Sequence, residues 1–383
     1  MKKRLFSYID GKRDEYLAFW EDVCNIESPT CFKSGVDEVG RYFIGKAREK
    51  GWDVQVYRQE KSGDLVCITL APDASNAPVF FSAHLDTVHP LGLFGQPAVK
   101  TDSERIYGPG VVDCKGGAVA AFLAMDALDA AGYRDRPVKL LLQTDEEGGS
   151  ELSGKATIRK MCELAKGAEA FINLEGYVRG QVCVIRKGIV SYTFNIKGIA
   201  AHSSMCAVDG ASAIAEAAYK IIELEKLKDD KGITCNCGII KGGSAPNTVA
   251  DACEFEANIR FATPEQLEWV KEYVRRVSDT VHVPGCSCEL TVKSEREAMP
   301  ECERNLALVD RMNRAFEEYG LPQLKAVKEN YGSDAAEITV WAETPCVDSL
   351  GVEGGRIHSR EEFAFISSLY EAAKRMAAIS ASL

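Results

Sequence analysis

The strongest constraint on this chain is a set of apolar runs too continuous for a sheet with one wet face. "DLVCITLA" (64–71), "APVFFSAHLD" (77–86), "PVKLLLQTDEE" (137–147) and "AEAFINLEG" (168–176) read as strands buried on both sides. Between the second and third lies "GGAVAAFLAMDALDAAG" (116–132), helix-length, rich in small residues and bounded by glycines. Strands alternating with helices predict an α/β sheet covered on both faces. Helical periodicity over 12–26 and 34–50 precedes these runs. The chain ends with a helix at "NLALVDRMNRAFEEYG", closed by Gly320 and Pro322, a buried strand at "TPCVDSLG" and a helix from about residue 360.

From about residue 188 the pattern changes to alternating strands. "IVSYTFNIKGI", the helix "GASAIAEAAYKIIELEKL", "GITCNCGIIKGG", "DACEFEANIRFA", the helix "PEQLEWVKEYVRRVSDTV" and "CSCELTVKSE" follow in order. This β-α-β-β-α-β order is the ferredoxin-like unit. The fold class expected is therefore α/β, a mixed sheet flanked by helices and interrupted by an α+β satellite. The boundaries read as 1–187 for the first part of the α/β domain, 188–295 for the satellite and 296–383 for the second part. At 383 residues the chain is long for a single core, which agrees with two domains.

A net charge of −11, with dispersed lysines and arginines, argues against nucleic-acid and anionic-membrane partners. No window approaches the roughly eighteen apolar residues of a membrane span. The start "MKKRLFSYIDGKRDEY" turns charged where a signal peptide needs an apolar stretch, so a cytoplasmic location is expected. Fourteen cysteines are spread over the whole length, and their C-x-C pairs lack the C-x-x-C spacing of structural zinc knuckles. Free, mostly buried thiols are the expected state.

Polar residues collect at the C-terminal ends of the apolar strands, where open α/β sheets build their sites. His84 and Asp86 end one strand, Glu146 and Glu147 another, and Glu175 a third. Asp113 sits in the glycine-flanked turn "GPGVVDCKGG", and His358 in "GGRIHSREEF". Residues i and i+2 share a strand face, so Asp86 is placed to support the His84 imidazole, as carboxylates do for metal-bound histidines. A lone histidine at such a place is ordinarily just a strand-end residue in a polar turn. The adjacent Glu146 and Glu147 repel one another wherever they are buried, although a surface loop would solvate them. A cation resolves that conflict, binding one acid while the other handles a proton. Three carboxylates (Asp113, Glu147, Glu175) against two zinc ions leave a net positive centre that acidifies water, with Glu146 as the general base.

Together, "SAHLDTV", "GPGVVDCKGG", "TDEEGG" and "GGRIHS" resemble the successive motifs of the co-catalytic zinc amidohydrolases. That family includes glutamate carboxypeptidase, acetylornithine deacetylase, succinyl-diaminopimelate desuccinylase, aminoacylase and several dipeptidases. The resemblance spans residues 84 to 358 and implies a zinc-peptidase-like fold with two Zn²⁺ per subunit, for which Co²⁺ or Mn²⁺ can substitute. It implies His84 and Glu175 as ligands of one zinc, Glu147 and His358 as ligands of the other, and Asp113 as the bridge. Asp86 becomes the supporter of His84, Glu146 the general base, and Asp113–Cys114 a candidate cis peptide. Cys114 departs from many relatives, which carry Asp or Met there; a passive small residue is expected.

In the satellite, "KGIAAHSS" resembles the segment whose histidine, here His202, reaches across a homodimer to stabilise the oxyanion. "GGSAPNTVADACEFEANIRF" resembles the segment that offers the substrate carboxylate an asparagine and an arginine, here Asn247 and Arg260. For Arg260 a plain strand ion pair stays open. His89 is expected to be a turn residue near the cleft rim, and His282 to be structural. The reaction implied is cleavage of an amide or peptide bond next to a free carboxylate, in a small molecule or short peptide. Glu175 inclines the reading toward glutamate carboxypeptidase or dipeptidase action; N-acyl amino acid deacylation is the alternative. A non-catalytic relative would be expected to have lost Glu146 or a ligand. A dinucleotide-binding oxidoreductase fails because "GPGVVDCKGG" lacks the G-x-G-x-x-G spacing.

Overall fold

In the computed structural model, which describes residues 1–228 and 232–383, the chain divides into two compact units. The first comprises Met1–Ile185, Glu301–Lys328 and Ser333–Leu383; the second comprises Arg186–Pro300 and Glu329–Gly332.

The first unit is built on a six-stranded sheet in the order Asp53–Tyr57, Leu65–Leu70, Val138–Gln143, Val79–His84, Ala170–Asn173 and Cys346–Val347. The first two neighbouring pairs are antiparallel and the remaining three parallel, so the sheet is mixed. Every residue of Leu65–Leu70, Val79–His84 and Ala170–Asn173 is buried, which accounts for their unbroken apolar character. The parallel register pairs His84 with Gln143 and Ser82 with Asn173. Three strands therefore end side by side, and the loops that follow carry Asp86, Glu146, Glu147 and Glu175.

The small-residue helix Lys115–Ala130 is buried along its length from Lys115 to Leu128. Its Phe122 ring meets Phe19, Phe43 and Trp52 at centroid distances of 5.4, 6.0 and 4.8 Å. Truncating a phenylalanine packed this way costs about 3–5 kcal/mol. Asp126 on the same helix accepts hydrogen bonds from Tyr8 (3.1 Å), Tyr16 (2.8 Å) and Lys50 (2.6 Å), tying the first three helices to it through one buried carboxylate. Gly117 is where the helix meets the sheet edge. A Cβ there would lie 2.6 Å from the Leu174 carbonyl oxygen, so only glycine lets the helix start this close to the loop bearing Glu175.

One helix was not anticipated, and one expected boundary needs correction. The N-terminal residues form a helix of their own, Lys2–Gly11, burying Leu5 and Ile9. The last helix starts at Ile366 rather than near 360, because Phe363–Phe365 is a strand. That strand pairs with Gly354–Gly355 on one side and Arg105–Tyr107 on the other. The small sheet sets the turn 356–362 beside the turn that follows Tyr107. All fourteen cysteines are free.

The second unit has a four-stranded antiparallel sheet in the order Thr234–Gly242, Ala252–Phe261, Gly188–Lys197 and Ser287–Arg296. Counted along the chain this is second–third–first–fourth, the ferredoxin-like arrangement, with helices Ala213–Leu224 and Pro264–Asp279 packed against it. Phe194 and Phe255 are paired across the sheet and stack at 4.4 Å. Lys220 is wholly buried; it pairs with Glu216 at 3.0 Å and donates to the carbonyls of Val277, Ser278 and Thr280, neutralising the end of the second helix.

Candidate metal centre

Five of the residues singled out in the sequence converge in the first unit. Asp113 faces two histidines, its Oδ1 2.9 Å from His84 Nε2 and its Oδ2 3.2 Å from His358 Nε2. His358 Nε2 lies 3.2 Å from Glu147 Oε2, and His84 Nε2 lies 3.8 Å from Glu175 Oε1. The potential ligand atoms of His84, Asp113 and Glu147 all fall within 4.8 Å of one another.

Each residue is delivered by a distinct local feature. His84 closes its strand, and its Nδ1 is 2.9 Å from the Asp86 carbonyl oxygen. Asp113 precedes a cis peptide to Cys114, at the turn into the buried helix. Glu147 sits in the 144–155 loop, which is folded by Asp145: its carbonyl accepts Ser150 N–H and its carboxylate accepts Ser153 N–H, both at 2.7 Å. His358 has φ +61°, a left-handed backbone uncommon for a non-glycine residue and found preferentially at functional sites.

Asp86 departs from the role the sequence suggested. Its carboxylate is 3.6 Å from His84 Nδ1, beyond hydrogen-bond length, and instead accepts the backbone N–H groups of Glu146 and Glu147, each at 3.1 Å. Thr30 Oγ1 donates to the same carboxylate at 2.8 Å. Asp86 therefore orients the acidic pair directly. Glu146 is buried, 7% exposed, beside the centre.

The electrostatics are those of crowded acids partly balanced by histidines. Burial, and then repulsion from Asp113 and Glu146, raises the Glu147 carboxyl to about 7. Burial and the Asp113 charge push Glu175 well above the carboxylate range. Burial opposes ionisation of Asp113 too, but hydrogen bonds from His358 and His84 hold it well below that range. The Asp113 and Glu147 carboxylates raise His358 to about 10. Two imidazole nitrogens and three carboxylates at contact distance fit divalent cations of the zinc type, and positive charge here relieves the repulsion that raises Glu147 and Glu175. The Cys114 thiol donates to Leu174 O at 2.9 Å, burial pushes it up, and its sulfur lies within 4.8 Å of potential ligand atoms of His84 and Glu175.

His89 departs from expectation. It is not a rim residue: it is 6% exposed, with Nε2 3.0 Å from Glu362 Oε2. Glu362 was not singled out in the sequence. It lies four residues after His358, and its one signal was an adjacent acid pair, Glu361–Glu362.

The model for peptidase family M20/M25/M40 matches residues 80–382. The chain belongs to this family. The M20 chain is 25% identical over 374 residues to carboxypeptidase G2 of a Pseudomonas species, covering 95% of this chain and 88% of that protein. It is 26% identical over 385 residues to the succinyl-diaminopimelate desuccinylase of Nitrosospira multiformis, covering 93% and 95%. Among solved structures, the aminopeptidase PepT of Bacillus cereus shares the fold, with a TM-score of 0.77 and 22% identity over 96% of this chain and 98% of that one. The M20 chain is a metal-dependent hydrolase of the peptidase and amidohydrolase class. Among the described residues, no helix is long and apolar enough to cross a membrane.

The other three residues singled out lie in the second unit. His202 is exposed, with Nδ1 2.9 Å from Ser204 Oγ. Asn247 is its neighbour, since Ser203 N–H donates to Asn247 O at 2.9 Å. Arg260 stands on the strand Ala252–Phe261 and donates through Nη1 to Asn330 O at 2.6 Å, which leaves other guanidinium N–H groups for a ligand. His282 stacks on Tyr219 at 5.0 Å.

Proposed function

We propose that the chain is a di-zinc hydrolase that cleaves an amide or peptide bond next to a free carboxylate, in the manner of a glutamate carboxypeptidase or dipeptidase. The observation that carries this reading is Asp113 facing His84 and His358 with separate oxygens. In this reading His84 and Glu175 would hold one cation and Glu147 and His358 the other, with Asp113 contributing to both sites. Bound divalent cations supply Lewis acidity toward the scissile carbonyl and acidify water.

The protein's own groups do the rest. Glu146, held by its backbone bond to Asp86, takes a proton from water and returns it to the leaving amine. Arg260 and Asn247 recognise the substrate carboxylate, the arginine through a bidentate fork. His202 stabilises the oxyanion from the partner subunit of a homodimer. Support for a dimer comes from the outer strand Thr234–Gly242, an open sheet edge with Ile239 45% and Ile240 53% exposed.

Deacylation of an N-acyl amino acid is the second reading, favoured by the similarity to a desuccinylase across nearly the whole chain. One experiment separates the two: hydrolysis of a dipeptide panel against N-acetyl and N-succinyl amino acids, with metal analysis of the same sample. Turnover confined to acylated amino acids would overturn the peptidase reading. A metal content of one ion or none in active protein would overturn the two-ion centre.

A further inference from the structure

The three chain segments that carry His84, Asp113 and His358 meet at one carboxylate that belongs to none of them as a ligand. Glu362 is 1% exposed. Its Oε1 accepts Val112 N–H at 2.9 Å and Asp113 N–H at 3.2 Å; its Oε2 accepts Gly110 N–H at 3.2 Å and faces His89 Nε2 at 3.0 Å. An ionised carboxylate offers about four acceptor positions, and all four are engaged here. Three of the partners are backbone N–H donors, and the fourth is the His89 imidazole. The Gly108 N–H donates to the Glu362 carbonyl at 3.2 Å, adding a backbone link between the same two turns. His89 leaves the strand that ends in His84, and Phe94 packs edge-on against its ring at 4.9 Å.

We propose that Glu362 is a positioning residue of the metal centre, with His89 as its anchor. Glu362 shares a turn with His358 and grips the backbone of Asp113. It thereby fixes the separation between the bridging carboxylate and the histidine on its far side. A buried carboxylate that joins the segments bearing His84, Asp113 and His358 sets the spacing of those ligands without touching an ion. The inference rests on the di-zinc reading of the centre.

The test titrates the full chain, loaded with two equivalents of zinc, against a chromophoric chelator, and follows thermal unfolding of the same samples. In Glu362→Gln the side-chain amide must turn its N–H₂ toward one of the existing donors. The expected result is that one zinc leaves about 10- to 100-fold more readily while the other is unchanged within a few-fold. The unfolding midpoint of the stripped variant stays near that of stripped wild type. His89→Gln, which keeps the three backbone bonds, shows a smaller loss at the same step, and Glu362→Asp recovers part of it. Unchanged release from Glu362→Gln overturns the proposal, as does a loss of both ions in parallel with a fall in the stripped protein's midpoint. Should Glu362→Gln not fold, His89→Gln decides by the same two criteria. Wild-type protein that releases only one zinc would instead overturn the two-ion reading, and this inference with it.

Discussion

The Asp86 carboxylate receives the backbone N–H of Glu146 at 3.1 Å, so the residue two positions after a strand-end histidine also holds the loop bearing the proposed base. Asp86→Ala removes the acceptor for Glu146, Glu147 and Thr30 together. The expected outcome is a fall in kcat of about 10- to 100-fold with KM little changed. A loss appearing only in KM would place Asp86 at the substrate rather than behind the loop.

Glu146→Gln tests the proton-transfer role separately. The amide keeps the shape and the backbone bond to Asp86 but has no basic oxygen. Turnover should fall by about 10²- to 10⁴-fold, while metal content measured by elemental analysis stays at the wild-type level. Near-wild-type rates would exclude Glu146 as the base.

Metal removal is expected to affect stability as well as activity. The stripped centre keeps mutually repelling acids in place, whereas a bound cation stabilises the folded state by mass action. At a free zinc concentration of about 100 times Kd the gain is about 2.7 kcal/mol per site, visible as a higher Tm by calorimetry. An unchanged Tm on metal addition, in protein shown to bind it, would contradict this account.

Arg260→Ala should raise KM for substrates with a free carboxylate far more than for their amidated counterparts. The guanidinium spends one N–H on Asn330 O and keeps the others for a ligand. Equal effects on both substrate types would reduce Arg260 to a strut between its strand and the 329–332 segment.

In the second unit, Lys220→Met leaves Glu216 as a buried charge and frees three helix-end carbonyls. A loss of about 3–5 kcal/mol in unfolding free energy is expected. Denaturant titration measures it; a change under about 1 kcal/mol would mean that water enters and solvates the pair.

Much of the architecture is legible in the order of residues because it depends on local pattern. Continuous apolar runs locate the buried strands, and alternation with two intervening helices locates the ferredoxin-like sheet. His84, Asp113, Glu147, Glu175 and His358 stand out because acids and imidazoles at strand ends and glycine turns are chemically conspicuous. What escaped depends on contacts between distant segments. His89 looks like a turn residue before Pro90, and only its pairing with Glu362, 273 positions away, explains its burial. Thr30 carries no local sign that its hydroxyl meets Asp86. The carboxylate of Asp86 reaches backbone N–H groups some sixty residues on, which an argument from strand periodicity about His84 could not anticipate. The short strand Phe363–Phe365 is defined by its partners at 105–107 and 354–355, so a helix seemed to begin there.

The distribution of the centre along the chain has a consequence for biosynthesis. His84, Asp113, Glu147 and Glu175 are all translated before the second unit; His358 and Glu362 come after it. While the ribosome makes the intervening residues, the emerging first segment carries its acids without the histidine that balances Glu147 or the carboxylate that grips the Asp113 backbone. In the two-ion reading, hydrolytic competence therefore arrives only once His358 has been made, and a product truncated before it lacks that competence.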